Sequence, residues 1–307
     1  MFFARILPLS SITYQVPGGG FVKHSCERSV PREVSMGDTG GESRETVVAA
    51  LTAEWAALDA LLDGLPPGDW TRPTCLPGWR VTDVVAHLVG TEASLAGDET
   101  PAPGVDVRAL PHVRGDVAAF NELWVQALRD AAPGEMLARF RDVTARRAAR
   151  LERMTRSDFD APSWTPVGQA TYGRFMRIRV FDCWMHEQDI REAVGAPGHE
   201  TGPAAELALE EATRALGYLV GKRAAAPDGS IVRIELTGPL VRRLTVVVDG
   251  RARLVDEAPG PPTAVLRMSS SRYLRLGGGR TGDHVGVELD GDRDLARRVL
   301  DNLAFTI

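Results

Sequence analysis

The sequence predicts a two-domain α+β protein, an antiparallel helical bundle over residues 44–198 followed by a small α+β domain over residues 199–307. Three observations predict it. A length of 307 residues exceeds one ordinary domain. As far as about Arg223, apolar residues recur at three- and four-residue intervals, and the short connections between these helices favour antiparallel neighbours. Beyond Ile231 the pattern changes to short β-branched runs divided by turn residues, which reads as strands with a few helices.

Residues 1–43 carry Pro8, the run Gly18-Gly19-Gly20 and Cys26 without any helical or strand period. Arg5 and Pro8 interrupt the apolar core that a secretory signal needs, so this stretch reads as a disordered or mis-called extension with Met36 as the true start. Val47, Val48, Leu51, Trp55, Leu58 and Leu62 give a first helix its buried stripe, and Leu65-Pro66-Pro67-Gly68 ends it. A second helix is expected from about Val81 to Ala96, followed by a Pro/Gly-rich loop from Pro101 to Pro111 long enough to border a site. Further helices are expected over Arg114 to Ala131 and Gly134 to Thr155, then a loop with Pro162, Trp164, Pro166 and Gly168. A long helix from about Gly173 to Val194 stops at Gly195-Ala196-Pro197-Gly198, and another spans Pro203 to about Arg223. Ile231 to Leu236 and Leu240 to Val248, around Thr237-Gly238-Pro239, predict a hairpin. Ala264 to Met268 and Val285 to Leu289 read as strands, Ser270 to Leu276 and Asp292 to Leu303 as helices.

Hydrophobic residues make up 44% and charged residues 25%, the balance of a soluble globular chain. A net charge of -5, a pI near 5.8 and no clustered basic face argue against a nucleic-acid partner. No run of about 18 apolar residues exists, so no membrane-spanning helix is expected. Cys26, Cys75 and Cys183 form no C-x-x-C pair, which fits a reducing cytoplasm. Either a monomer or a homodimer is compatible with this composition. Lys23 and Lys222 are the only lysines, an arginine bias that looks like a high-GC genome and makes a lone arginine weak evidence of function. There is no G-x-S-x-G elbow, Walker loop or G-x-G-x-x-G between strand and helix; Gly277-Gly278-Gly279 reads as a helix stop.

Two of the six histidines lie inside helices, His87 in the second and His186 in the long one. Asp182 and His186, four apart, project side by side from one face. A carboxylate and an imidazole so placed can share a cation, and His87 from a facing helix would complete three ligands with one position open. Asp189, three beyond His186, can orient the imidazole or act as a ligand itself. On spacing alone, an ordinary Asp–His contact with a core histidine elsewhere stays open. The other histidines read as solvated surface residues, Cys183 and Trp184 as packing, and Cys75, near the bundle mouth, as a thiol with no feature in the sequence that marks it as reactive.

The run Leu76-Pro77-Gly78-Trp79-Arg80-Val81-Thr82-Asp83-Val84-Val85-Ala86-His87-Leu88 resembles the start of the second helix in the mycothiol-dependent maleylpyruvate isomerase family. Asp182-x-x-x-His186-Glu187-Gln188-Asp189-Ile190-Arg191 looks like its second metal motif, and Gly291-Asp292 through Phe305 is similar to the ending of many members. The resemblance covers roughly residues 44–307. It implies a DinB-like bundle carrying zinc or another divalent metal on His87, Asp182 and His186, a sterol-carrier-like C-terminal domain closing over it, and mycothiol as cosubstrate. Characterised isomerases carry Glu where this chain has Asp182, one methylene shorter, so the cation must sit closer to that helix or Asp189 must help. A thiol at the open position would lose its proton easily and attack a small electrophile, giving cis–trans isomerisation or S-transfer. An acidic substrate would need a cation from the second domain, for which Arg280, with Arg275 behind it, is the candidate. A metal-dependent hydrolase on the same site, and a non-catalytic small-molecule-binding or zinc regulatory protein, are the alternatives.

Overall fold

A computed structural model describes residues 43–306, so the expectations for the extension and for Met36 lie outside the described residues. Ser43 opens helix α1 (Arg44–Asp63) by accepting the Thr46 amide on its hydroxyl at 3.2 Å, and the expected stripe of Val47, Leu51, Trp55, Leu58 and Leu62 is buried. Helix α2 (Val81–Ala96) starts with Asp83 accepting the Arg80 amide on its side chain at 2.8 Å, and ends at Gly97 in the left-handed region. It is buried on nearly every face from Val81 to Gly90, which makes it the central rod of the helical part. Helices α3 (Gly115–Leu128) and α4 (Pro133–Arg153) pack on it from outside.

The segment expected as a loop around Pro162 and Gly168 is instead structured. It holds a single helical turn, α5 (Arg156–Asp160), and an antiparallel hairpin of β1 (Pro162–Thr165) and β2 (Gly168–Thr171). Four-residue strands are too short for their alternation to stand out, and Gly168 at a φ of 102° is the turn residue rather than a break. Thr171 then caps α6 (Tyr172–Val194), whose end at the left-handed Gly195 agrees with the sequence.

The helix expected from Pro203 to Arg223 is interrupted. Helix α7 (Pro203–Thr213) gives way to a short α8 (Leu216–Tyr218) and a π-turn over Leu219–Arg223. Here Gly217 and Gly221 press against Ala252: an added Cβ would lie 2.9 Å from the Ala252 carbonyl and 2.6 Å from its methyl. Close approach to a strand, not helical propensity, sets this break. Helix α7 packs against α6, α1 and a later helix of the sheet half, so it bridges the two parts.

Five strands form the C-terminal sheet, in the order β5-β4-β3-β6-β7. The predicted hairpin is β3 (Ile231–Thr237) with β4 (Arg242–Asp249), paired Ile231 to Val247. Strand β5 (Arg251–Val255) escaped the sequence because its charged alternation belongs to an exposed edge. Strand β6 (Ala264–Ser269) runs parallel to β3, and β7 lies at Glu288–Gly291, about three residues later than expected. Helices α9 (Ser270–Gly277) and α10 (Arg293–Asp301) cover the sheet. The result is the mixed α+β arrangement that the sequence predicts, and among the described residues no helix is long and apolar enough to cross a membrane.

Candidate metal centre

The sheet half reaches the helical half along α6. Phe181 meets Phe305 with ring centres 5.7 Å apart, Arg275 pairs with Glu192, and Arg280 grips Asp189. On the same helix, Asp182, His186 and Asp189 lie on one face, opposite His87 on α2.

His87 Nε2 lies 3.1 Å from Asp182 Oδ2, and His186 Nε2 lies 3.6 Å from Asp182 Oδ1. One donor atom from each of the three residues falls within 4.8 Å of the other two. The imidazole centres are 4.8 Å apart, and Trp79 packs on both rings at 5.4 and 6.1 Å. Two imidazoles and a carboxylate converging so closely are a donor set for zinc or a similar divalent ion.

Protonation states suit that use. Burial holds the His87 imidazole below its ordinary pKa, so it stays neutral with a lone pair to offer. Burial works against the Asp182 carboxylate, but Arg179, His87 and His186 around it keep it well below the usual range. His186 shares its Nδ1 proton with Asp189 Oδ2 at 3.0 Å, which turns the Nε2 lone pair toward Asp182. Asp189 is itself pulled down to about 2: burial opposes its charge, but the bond from His186 and the Arg280 guanidinium prevail. It therefore acts behind His186 and lies outside the set of three donors.

Arg280 is brought to the site, although not as expected. Its Nε and one terminal nitrogen donate to the two Asp189 oxygens at 3.1 and 2.9 Å, and another nitrogen donates to the Gly278 carbonyl at 2.7 Å. In this arrangement the guanidinium bonds Asp189, behind His186, and makes no hydrogen bond to His87, Asp182 or His186, although it feels the Asp182 charge. A cavity of about 240 Å³ beside it, bordered by Asp189, Met185, Ser271, Arg275 and Arg280, is not lined by His87, Asp182 or His186. Asp182 keeps 30% of its side chain exposed, which leaves the donors a solvent-facing edge.

Several residues that shape the site were given no role of their own by the sequence. Trp79 is fixed by its indole N–H donating to Glu122 at 3.0 Å, and Glu122 also meets His112 at 3.1 Å. Gly78, at a φ of 80°, makes room for that histidine, since a Cβ would stand 2.8 Å from its Nδ1. Arg179 bonds Asp182 and is held in turn by Glu92 at 3.0 Å; Glu92 also takes Arg147 at 2.9 Å, all three buried. A glutamate inside the apolar face of α2 and an arginine three residues before Asp182 were the available signals. His112 and His199 are not free surface side chains, because each meets a buried glutamate. Cys183 and Trp184 are buried as expected. Cys75 is nearer the chemistry than its loop suggested: its thiol donates to Asp189 at 3.3 Å, and burial with the adjacent carboxylate pushes it up to about 12.

Residues 51–191 match the profile of the mycothiol maleylpyruvate isomerase N-terminal domain, and residues 206–298 match that of the MDMPI C-terminal domain. The chain belongs to the mycothiol-dependent maleylpyruvate isomerase family. Solved structures of a mycothiol-dependent maleylpyruvate isomerase and of its histidine-to-alanine variant are 18% and 17% identical, with TM-scores of 0.52 and 0.54. Each match covers 81% of this chain and 93% of that one, which shows a shared fold. An uncharacterised protein of Mycobacterium tuberculosis, found in two strains, is 27% identical over 195 residues, 62% of this chain and 73% of its own length. For a member of this family, His87, Asp182 and His186 fall within the N-terminal match, whereas Arg280 comes from the C-terminal one.

Proposed function

We propose that this protein is a zinc-dependent enzyme that uses mycothiol to attack a small electrophilic substrate, as a maleylpyruvate-type cis–trans isomerase or a thiol S-transferase. The observation that carries the reading is the convergence of His87, Asp182 and His186, with the His186 tautomer fixed by Asp189. Family membership supports the thiol. A divalent cation held there supplies the Lewis acidity that lets a thiol give up its proton at neutral pH.

The chain's own residues define the rest. Two imidazole nitrogens and a single carboxylate, from His87, His186 and Asp182, would hold a divalent cation without cancelling its charge. Arg280 holds Asp189 charged, and Asp189 holds the His186 ring in place. Cys75, the thiol beside Asp189, is kept protonated, and burial pushes the Cys183 thiol well up too, so neither is a ready nucleophile, which fits a thiol supplied from outside. Addition of an external thiolate to an activated cis double bond allows rotation about the resulting single bond. Expulsion of the same thiolate then gives the trans product and returns the thiol unchanged. With a leaving group on the attacked carbon, the thiol is transferred instead.

The test is to incubate the zinc-loaded chain with maleylpyruvate, with and without mycothiol, and follow the cis–trans change by absorbance beside His186→Ala. Turnover that needs the thiol and is lost in the folded variant supports isomerisation; mycothiol adducts of other electrophiles without isomerisation support transfer. Turnover of substrate in the absence of thiol would replace this reading with hydrolysis by the same centre.

A further inference from the structure

A second group of donors lies on another face of α6. Glu187 is one residue beyond His186, about 100° around the helix, and is fully buried. Its Oε1 takes Arg191 at 2.8 Å and its Oε2 meets His199 Nδ1 at 2.6 Å. Glu54, from α1, is also fully buried, and neither of its carboxylate oxygens has a hydrogen-bond partner. Glu54 Oε2 stands 3.7 Å from the same His199 nitrogen, and the three residues offer donors within 4.8 Å of one another.

A buried carboxylate with no partner is costly unless something neutralises it. Arg191 answers for Glu187 through Oε1 and His199 Nδ1 sits on Oε2, whereas burial and the adjacent Glu187 push the Glu54 carboxyl well above its usual range, so a proton or a cation must neutralise Glu54 where the three residues converge. Two carboxylate oxygens and one imidazole suit zinc and its transition-metal neighbours; calcium would want six or more oxygens. His199 keeps 31% of its side chain exposed, so an ion has a way in. The chain around His199 is moored to α6 at three points: Trp184 donates to the His199 carbonyl at 3.0 Å, Gln188 to Gly198 at 3.3 Å and Arg191 to Ala196 at 3.1 Å.

We propose that Glu54, Glu187 and His199 form a second divalent-cation site of the zinc class, separate from the candidate catalytic centre. An ion there cross-links α1, α6 and the connection that leads from α6 into α7, and so fixes the helical half against the segment entering the sheet half. The role is structural, and it does not depend on the reaction proposed above.

Zinc per chain, measured by elemental mass spectrometry after incubation and gel filtration of the full-length protein, tests this. The unaltered chain should retain two ions, and Glu54→Gln and His199→Ala should each retain one. His87→Ala, altered on α2 away from Glu187, should keep one ion and lose it when combined with Glu54→Gln. Circular dichroism confirms folding, and His199→Ala, being partly exposed, guards against a core effect of Glu54→Gln. Zinc should also raise the melting temperature of His87→Ala but not that of the double variant. An unaltered chain with one ion whose count is unchanged by Glu54→Gln and by His199→Ala would overturn the proposal. Folded His87→Ala without zinc would do the same, and would mean that Glu54 keeps a proton in place of a cation. Failure of the first centre alone instead removes the ion that His87→Ala removes and leaves the second count intact.

Discussion

His186 and Asp189 are coupled across one turn of α6, Nδ1 to Oδ2 at 3.0 Å, while Arg280 from the sheet half holds both Asp189 oxygens. An ion pair between the two halves therefore sets the tautomer of a candidate metal ligand. Asp189→Asn removes the charge that favours the Nδ1–H form. Zinc affinity, read by competition with a chromogenic chelator, should fall roughly 10- to 100-fold with the fold retained. Unchanged affinity would mean that His186 needs no such orientation.

Arg280→Ala leaves Asp189, 1% exposed, as a buried charge without its main partner. Breaking a buried pair in this way costs about 3–5 kcal/mol, which should appear as a lowered midpoint in urea unfolding. Arg280→Lys should lie between the two, since an ammonium supplies the charge but not the two parallel bonds. If Arg280→Ala unfolds like the unaltered chain, the contact between the halves is not sustained by this pair.

Much of this arrangement could be read from periodicity. The bundle helices, the α6 stop at Gly195 and the juxtaposition of Asp182 with His186 all follow from local spacing. What stayed hidden depends on pairing across the chain. That His87 meets Asp182, 95 residues away, needs α2 and α6 to be neighbours, which an antiparallel bundle allows but local spacing does not fix, and which the family resemblance strengthened. The break after α7 is set by the approach of Gly217 and Gly221 to Ala252, which no local window contains, and strand β5 is hidden by the charged alternation of an exposed edge. Arg280 stands out in the sequence only as a candidate cation for an acidic substrate, and its pairing with Asp189 is hidden there because that partner is fixed by packing and not by its own segment.

Glu92 joins two buried guanidiniums, Arg147 at 2.9 Å and Arg179 at 2.9 Å, and Arg179 in turn bonds Asp182. Glu92→Gln keeps the shape but leaves two buried cations facing a neutral amide. A loss of roughly 3–5 kcal/mol in unfolding free energy is expected. Zinc affinity should fall as well, because Arg179 then leans more heavily on Asp182. A variant as stable as the parent would show that water already compensates these charges.

Cys75 carries the pH prediction. Its pKa is raised to about 12, so at pH 8 the thiolate fraction is about 10⁻⁴, against roughly a quarter for a free cysteine near 8.5. Because the shift is upward, reactivity is absent at neutral pH and grows with alkalinity. Alkylation at Cys75, followed by peptide mass spectrometry, should be about 10³-fold slower than for a model thiol at pH 8 and rise about tenfold per pH unit up to pH 11. Asp189→Asn removes the adjacent negative charge and should speed it at every pH. Fast alkylation at pH 7 would contradict the environment described for this thiol.

Gly90 marks where α2 and α3 touch. A Cβ there would stand 2.4 Å from both Cβ and Cγ of Trp124, atoms close to the α3 backbone that cannot swing away as a side-chain tip could. Gly90→Ala gains up to about 1 kcal/mol of helix propensity, but the overlap forces α3 or Trp124 outward at a cost of about 1–3 kcal/mol. The steric loss should win, lowering the urea midpoint. Gly134, in the first turn of α4 with nothing within 4 Å of its virtual Cβ, is the matched control. Gly134→Ala should be neutral or stabilising by up to about 1 kcal/mol, since it keeps the propensity gain without the clash. Equal effects at the two positions would mean that α3 does not pack on α2 as closely as Gly90 and Trp124 require.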